Sequence, residues 1–71
     1  MRYFYAPIEN TQDGFIKPAG EIPPRVRALE LDVNAQRFVL LAHDESIPIP
    51  AEWSERTEPQ VRADYPDLSW G

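Results

Sequence analysis

The chain predicts a mainly β fold, a small α+β domain built on an antiparallel sheet of three to five strands. Two stretches carry this expectation. Tyr3-Phe4-Tyr5 and Phe15-Ile16-Lys17 flank a polar segment that closes with Asp13-Gly14, and a run alternating from Leu29 is followed, across a short turn, by a continuous apolar run from Arg37. Each pair reads as a hairpin. A third stretch, interrupted by prolines, predicts an extended segment and one or two short helices near the C-terminus.

In the first hairpin, residues 2–17, the two-residue period puts Phe4 on one face and Tyr3 and Tyr5 on the other. Pro7 donates no ladder hydrogen bond, so the strand is expected either to lie at an edge or to end there. Gly14 supplies the positive φ that an Asp-Gly turn uses. Residues 18–24 read as a loop stiffened by Pro23-Pro24, with Ile22 expected against the core. From Arg25 to Val33 the pattern is divided. Leu29, Leu31 and Val33 alternate inward, whereas Val26 and Ala28 have the opposite parity, and a bulge near Ala28 would reconcile the two. A helix is the rival reading, since Val26, Leu29 and Val33 also fit helical spacing. Residues 29–42 form the expected second hairpin, turning at Asn34-Ala35-Gln36, and the most buried part of the fold.

Beyond His43 the prolines at 48 and 50 push the residues before them to extended backbone. Residues 51–56 read as a single helical turn. Thr57 with Gln60 matches a capping box opening a helix over residues 61–65, which Pro66 ends. The organisation expected is one domain, with an antiparallel β core at 1–43 and an acidic extension at 44–71 that carries both tryptophans.

Composition narrows the function. The chain has 71 residues, 7 Lys+Arg against 12 Asp+Glu, a net charge of −5 and no cysteine. Disulfides and cysteine metal sites are thereby excluded. Excess acid argues against a nucleic-acid partner, which needs clustered base. No apolar run approaches the ~20 residues that span a bilayer, and no secretory signal is expected in the opening residues. Residues 1–43 carry five bases and five acids, so the whole imbalance falls in residues 44–71. A core in so short a chain rarely supplies more than ~3–5 kcal/mol, so a partner, either copies of itself or another protein, is the expected support.

Candidates for chemistry are few. His43, the single histidine, reads as a strand-end residue meeting solvent. Glu52, Glu55 and Glu58 are spaced by three, but Pro59 interrupts the helix that would align them, so they read as a solvated acidic face. No Gly-x-Ser-x-Gly and no glycine-rich phosphate loop exists. The chain is therefore expected to be no enzyme and to hold no cofactor and no metal. Trp53, Tyr65 and Trp70 either close the small core or anchor a partner, since Trp, Tyr and Arg dominate interface hot spots. Together with Tyr3 and Tyr5 they are the candidate partner-binding residues.

Read as a string, Met1-Arg2-Tyr3-Phe4-Tyr5, Asp13-Gly14-Phe15-Ile16 and Ile22-Pro23 resemble the opening of tail-fibre assembly proteins of tailed bacteriophages. The resemblance covers residues 1–23. It departs at Pro24-Arg25-Val26-Arg27, where that family carries an acidic segment, and no catalytic or binding residue transfers from it. It implies a small accessory protein of phage or prophage origin, found in the virion or in host cytoplasm during assembly. The expected function is a structural component of the virion tail or baseplate, in multiple copies, acting through other proteins. The alternatives are a tail-fibre assembly chaperone and a phage inhibitor that binds a host protein through its acidic C-terminal segment.

Overall fold

The computed structural model describes residues 1–68 of the chain. Five strands and one helix follow in order: β1 (Arg2–Asn10), β2 (Ile16–Pro18), β3 (Val26–Asp32), β4 (Arg37–Ala42), β5 (Ser54–Arg56) and α1 (Glu58–Asp64). All strand pairs are antiparallel, in the order β2-β1-β4-β3, and β5 also pairs with β1. The fold is thus mainly β, built from the two expected hairpins.

β1 is the centre of the sheet. Along one side it pairs with β4 over its length from Arg2 to Pro7. Along the other side β5 pairs with its first half, at Tyr3 to Tyr5, and β2 with its last third, at Ile8 to Asn10. Pro7 therefore neither ends the strand nor lies at an edge. The Ile8 amide donates to Gln36 O (3.2 Å), so even-numbered amides of β1 face β4. The N–H that Pro7 lacks would fall on the opposite side, facing Ala19, whose amide donates to Pro7 O (2.8 Å) and whose carbonyl accepts from Trp53 Nε1 instead (2.6 Å).

The second hairpin runs from Val26, and the segment 25–33 holds a strand, Val26–Asp32, not a helix. The register shifts between Ala28 and Glu30, so Leu29 is the bulged residue. The bulge moves Leu31 onto the face of Val26 and Ala28. The expectation that Leu29, Leu31 and Val33 share a buried face is corrected: Leu31 and Val33 are 38% and 63% exposed. β3 is an outer strand, and the burial expected of this hairpin is concentrated in β4, where residues 38–42 are all buried.

Both faces of the sheet are covered. On one, Tyr3, Tyr5, Val39 and Leu41 pack with Val61 and Leu68 from the helical end of the chain. On the other, Phe4, Ala6, Phe38, Leu40 and Ala42 pack with Trp53 under Ile47 and Ile49. Residues 44–68 thus belong to the same packed unit as residues 1–43.

Three further expectations are corrected. Residues 51–56 form a turn, closed by the Trp53 amide on Pro50 O (3.1 Å), and then β5, because pairing with β1 outweighs a helical turn of six residues. Among the described residues a single short helix, within the one or two expected, follows the sheet. It starts three residues ahead of the expected 61, since proline is tolerated in a first turn. Ile22 is 45% exposed, and its neighbour Pro23 is the buried residue of that loop. The capping box itself is formed as read: Thr57 Oγ1 accepts from Gln60 N, and Gln60 Oε1 from Thr57 N.

The irregular cover is locked at one crossing. Trp53 Nε1 donates to Ala19 O (2.6 Å), and Gly20 takes φ +81° beside Pro50, where an added Cβ would come within 2.8 Å of the proline Cβ. Gly14 has a similar φ of +84° with open space around it. Gly14→Ala should cost about 1–2 kcal/mol for the left-handed backbone alone. Gly20→Ala should cost distinctly more, because Pro50 must also move. Trp53→Phe should cost about 1–3 kcal/mol for the orphaned carbonyl. Urea denaturation of the three variants tests the ranking, and equal losses at Gly14 and Gly20 would refute the crossing contact.

Candidate functional site

The helix lies on the sheet through tyrosines, Tyr3 and Tyr5 buried and Tyr65 half-buried, whose hydroxyls reach carboxylates. Tyr3 Oη donates to Glu58 Oε1 (3.2 Å), Tyr5 Oη to Asp64 Oδ2 (2.7 Å) and Tyr65 Oη to Asp32 Oδ2 (2.8 Å). The first two tie β1 to both ends of α1, and the third ties the helix C-cap to β3. Tyr5 and Tyr65 meet edge to face, with ring centroids 5.9 Å apart. Burial, then the bond to Asp32, pushes the Tyr65 hydroxyl up to about 12. Burial and Asp64 raise Tyr5 further, and burial and Glu58 raise Tyr3. The Ala35 amide and then the Tyr65 hydroxyl hold Asp32 below the usual carboxylate range.

The same geometry places the aromatic candidates. Tyr3, Tyr5 and Trp53 are 6%, 6% and 7% exposed, so their rings are taken up by the chain's own core. Tyr65 is half-buried against that core. Trp70 lies outside the described residues. Glu52, Glu55 and Glu58 fall in a turn, a strand and a helix start and share no face; Glu55 pairs with Arg2 (3.0 Å) and Glu58 with Arg62 (3.5 Å). His43 is exposed just past the end of β4. Among the described residues, no group of three His, Asp or Glu is placed to hold a metal ion, and no helix is long and apolar enough to cross a membrane.

Two surface features remain, neither legible in the sequence. The first is the end of the sheet where both hairpins turn. Phe15, Val33 and Ile16 are 71%, 63% and 48% exposed there. The second is an arginine pair. The guanidinium of Arg37 lies 4.7 Å from the centre of the Tyr5 ring, and that of Arg56 lies 5.4 Å from it. With Gln60, Ala63 and Asp64 they line a cavity of about 300 Å³ beside α1. Arg56 escapes a sequence reading because residues 51–56 look helical, and its place opposite Tyr3 exists only through β5 pairing.

Family models, curated proteins and solved structures were all compared with the chain, and none of them matches it.

The tyrosine–carboxylate ties predict a stability plateau in pH. Asp32 and Glu55, both held down in the fold, contribute stability above their ordinary values of 3.8 and 4.5 that is lost as pH falls through their lowered ones. The raised Tyr65 contributes stability below 10.0 that is lost as pH climbs towards 12. Denaturant midpoints should therefore fall on both sides of that window. Tyr65→Phe should shallow the alkaline limb and Asp32→Asn the acid one. An alkaline limb unchanged by Tyr65→Phe would refute the assignment.

Proposed function

We propose that this chain is a small non-enzymatic structural protein of a tailed phage particle, in the tail or baseplate, that works by protein–protein contact. The observation that supports it most is the apolar end of the sheet. β1 runs towards this end, and β2 and β4 run away from it, so the turns 11–15 and 33–36 lie at the same end of the sheet. Phe15, just ahead of β2, and Val33, just past β3, thus stand exposed at the same end of the sheet beside its two outer strands, in a chain that buries its aromatic side chains on β1 and β4. Large apolar side chains left exposed at one end of a sheet are candidates for contact with a partner. The neighbour that would cover it is another protein of the particle, in line with the resemblance of residues 1–23 to tail-fibre assembly proteins. Several of the acids that would serve an electrostatic inhibitor are engaged within the chain: Asp44 with Arg25, Glu55 with Arg2, and Asp64 with Tyr5. This favours the structural reading over the inhibitor.

Tagged chain recovered from cells making phage should bring down virion proteins in stoichiometric amount. Phe15→Ser and Val33→Ser should reduce that recovery at least about tenfold while changing stability by no more than about 0.5 kcal/mol, as exposed side chains do. Recovery of a tail fibre alone would favour the chaperone, and a single host protein lost at high salt would overturn the proposal.

A further inference from the structure

We infer that Arg37 and Arg56 form a recognition site for a single carboxylate presented by a protein partner. Arg2, Lys17, Arg25 and Arg62 each lie within ion-pair distance of an acid of this chain. Arg37 and Arg56, in a protein with five more acids than bases, form no such pair and donate no hydrogen bond among the described residues. Both are instead held by the same ring, Tyr5. A guanidinium over an aromatic face uses its own flat face for that contact. Its N–H groups lie in the guanidinium plane, so contact with the ring restrains the side chain without consuming them. The two forks line one cavity with Gln60, whose side-chain oxygen is engaged by the Thr57 amide (2.9 Å) and whose amide nitrogen remains a donor.

Charge selects the ligand. Asp64 lines the same cavity, and Asp32 stands opposite Arg37 in the β3–β4 register. These acids and the net charge of −5 disfavour a dianion, and a polyanion more strongly still. A lone carboxylate of charge −1 gains two planar forks whose geometry matches it. The occupant is therefore an Asp or Glu side chain on a partner. Only its source in a protein rests on the proposed function; the site belongs to the isolated chain.

The test is nuclear magnetic resonance titration of the isolated chain with a short, end-blocked alanine-based peptide carrying one glutamate, with its glutamine twin, and with inorganic phosphate. The glutamate peptide should shift the Arg37 and Arg56 side-chain N–H, Gln60 amide and Tyr5 ring signals to saturation, and its twin should bind at least about tenfold more weakly. Arg37→Lys with Arg56→Lys keeps both charges and a cation over the ring, so the fold should persist, yet binding should fall about tenfold with the loss of the forks. Equal binding of both peptides, undiminished binding by the lysine variant, tighter binding of phosphate, or shifts shared equally by Arg25 and Arg62 would each overturn the inference. Failure here leaves the particle pull-down untouched, and failure of the pull-down leaves this titration valid.

Discussion

The structure depends on one strand that is apolar on both sides. Tyr3, Phe4, Tyr5 and Ala6 are consecutive and all buried, so both faces of the sheet around β1 must be sealed from water. A chain of 71 residues has too few left to build a regular layer on each face. One face receives a helix of seven residues, too short to hold its shape without the packing of Val61 and the bonds from Tyr3 and Tyr5. The other receives irregular chain. Irregular backbone over a core leaves amides and carbonyls to be satisfied. Proline lacks an N–H, and Trp53 Nε1 answers one of the carbonyls, so the abundance of proline in these covering segments lowers the polar cost of laying them on the sheet.

Tyrosine is suited to the boundary between core and rim. Its ring fills the interior and its hydroxyl reaches the edge. Here the three hydroxyls meet Glu58, Asp64 and Asp32, so part of the acidity of the chain is an internal fastening and not a bare charged surface. This changes the meaning of the net charge. Asp44, Glu55, Glu58 and Asp64 are spent on Tyr3, Tyr5, Arg2, Arg25 and Arg62, while Arg37 and Arg56 converge on Tyr5. The contact surfaces proposed here therefore lie where cover stops: the turn end of the sheet and the rim beside α1.

How much of this was legible depended on the range of the interaction involved. The Asp13-Gly14 turn and the Thr57–Gln60 box involve residues within four positions of one another, and the bulge near Ala28 shows as a local change of alternation, so each was readable from spacing. The alternation at Tyr3, Phe4 and Tyr5 was readable too, because it is a property of one strand. Misread were the features that depend on a distant neighbour. Ala51 to Arg56 has no local reason to be extended; β1 supplies it. Pro7 is compatible with a central strand because the carbonyl its missing N–H would meet, that of Ala19, is satisfied by Trp53 from a distant part of the chain.

The sequence by itself determined the fold class, the first turn, the helix cap and the absence of any cysteine chemistry, since these follow from residue type and short-range geometry. Tertiary structure alone decided which apolar residues are inside. Tyr3, Tyr5 and Trp53, plausible anchors for a partner, became core, whereas Leu31, Val33 and Ile22, plausible core, became surface. It also decided that Arg37 and Arg56, nineteen positions apart, share one ring. The physical reason is the same in each case. Burial depends on which strand lies in the middle of a sheet and which at its rim, and that order is set by pairings across the whole chain.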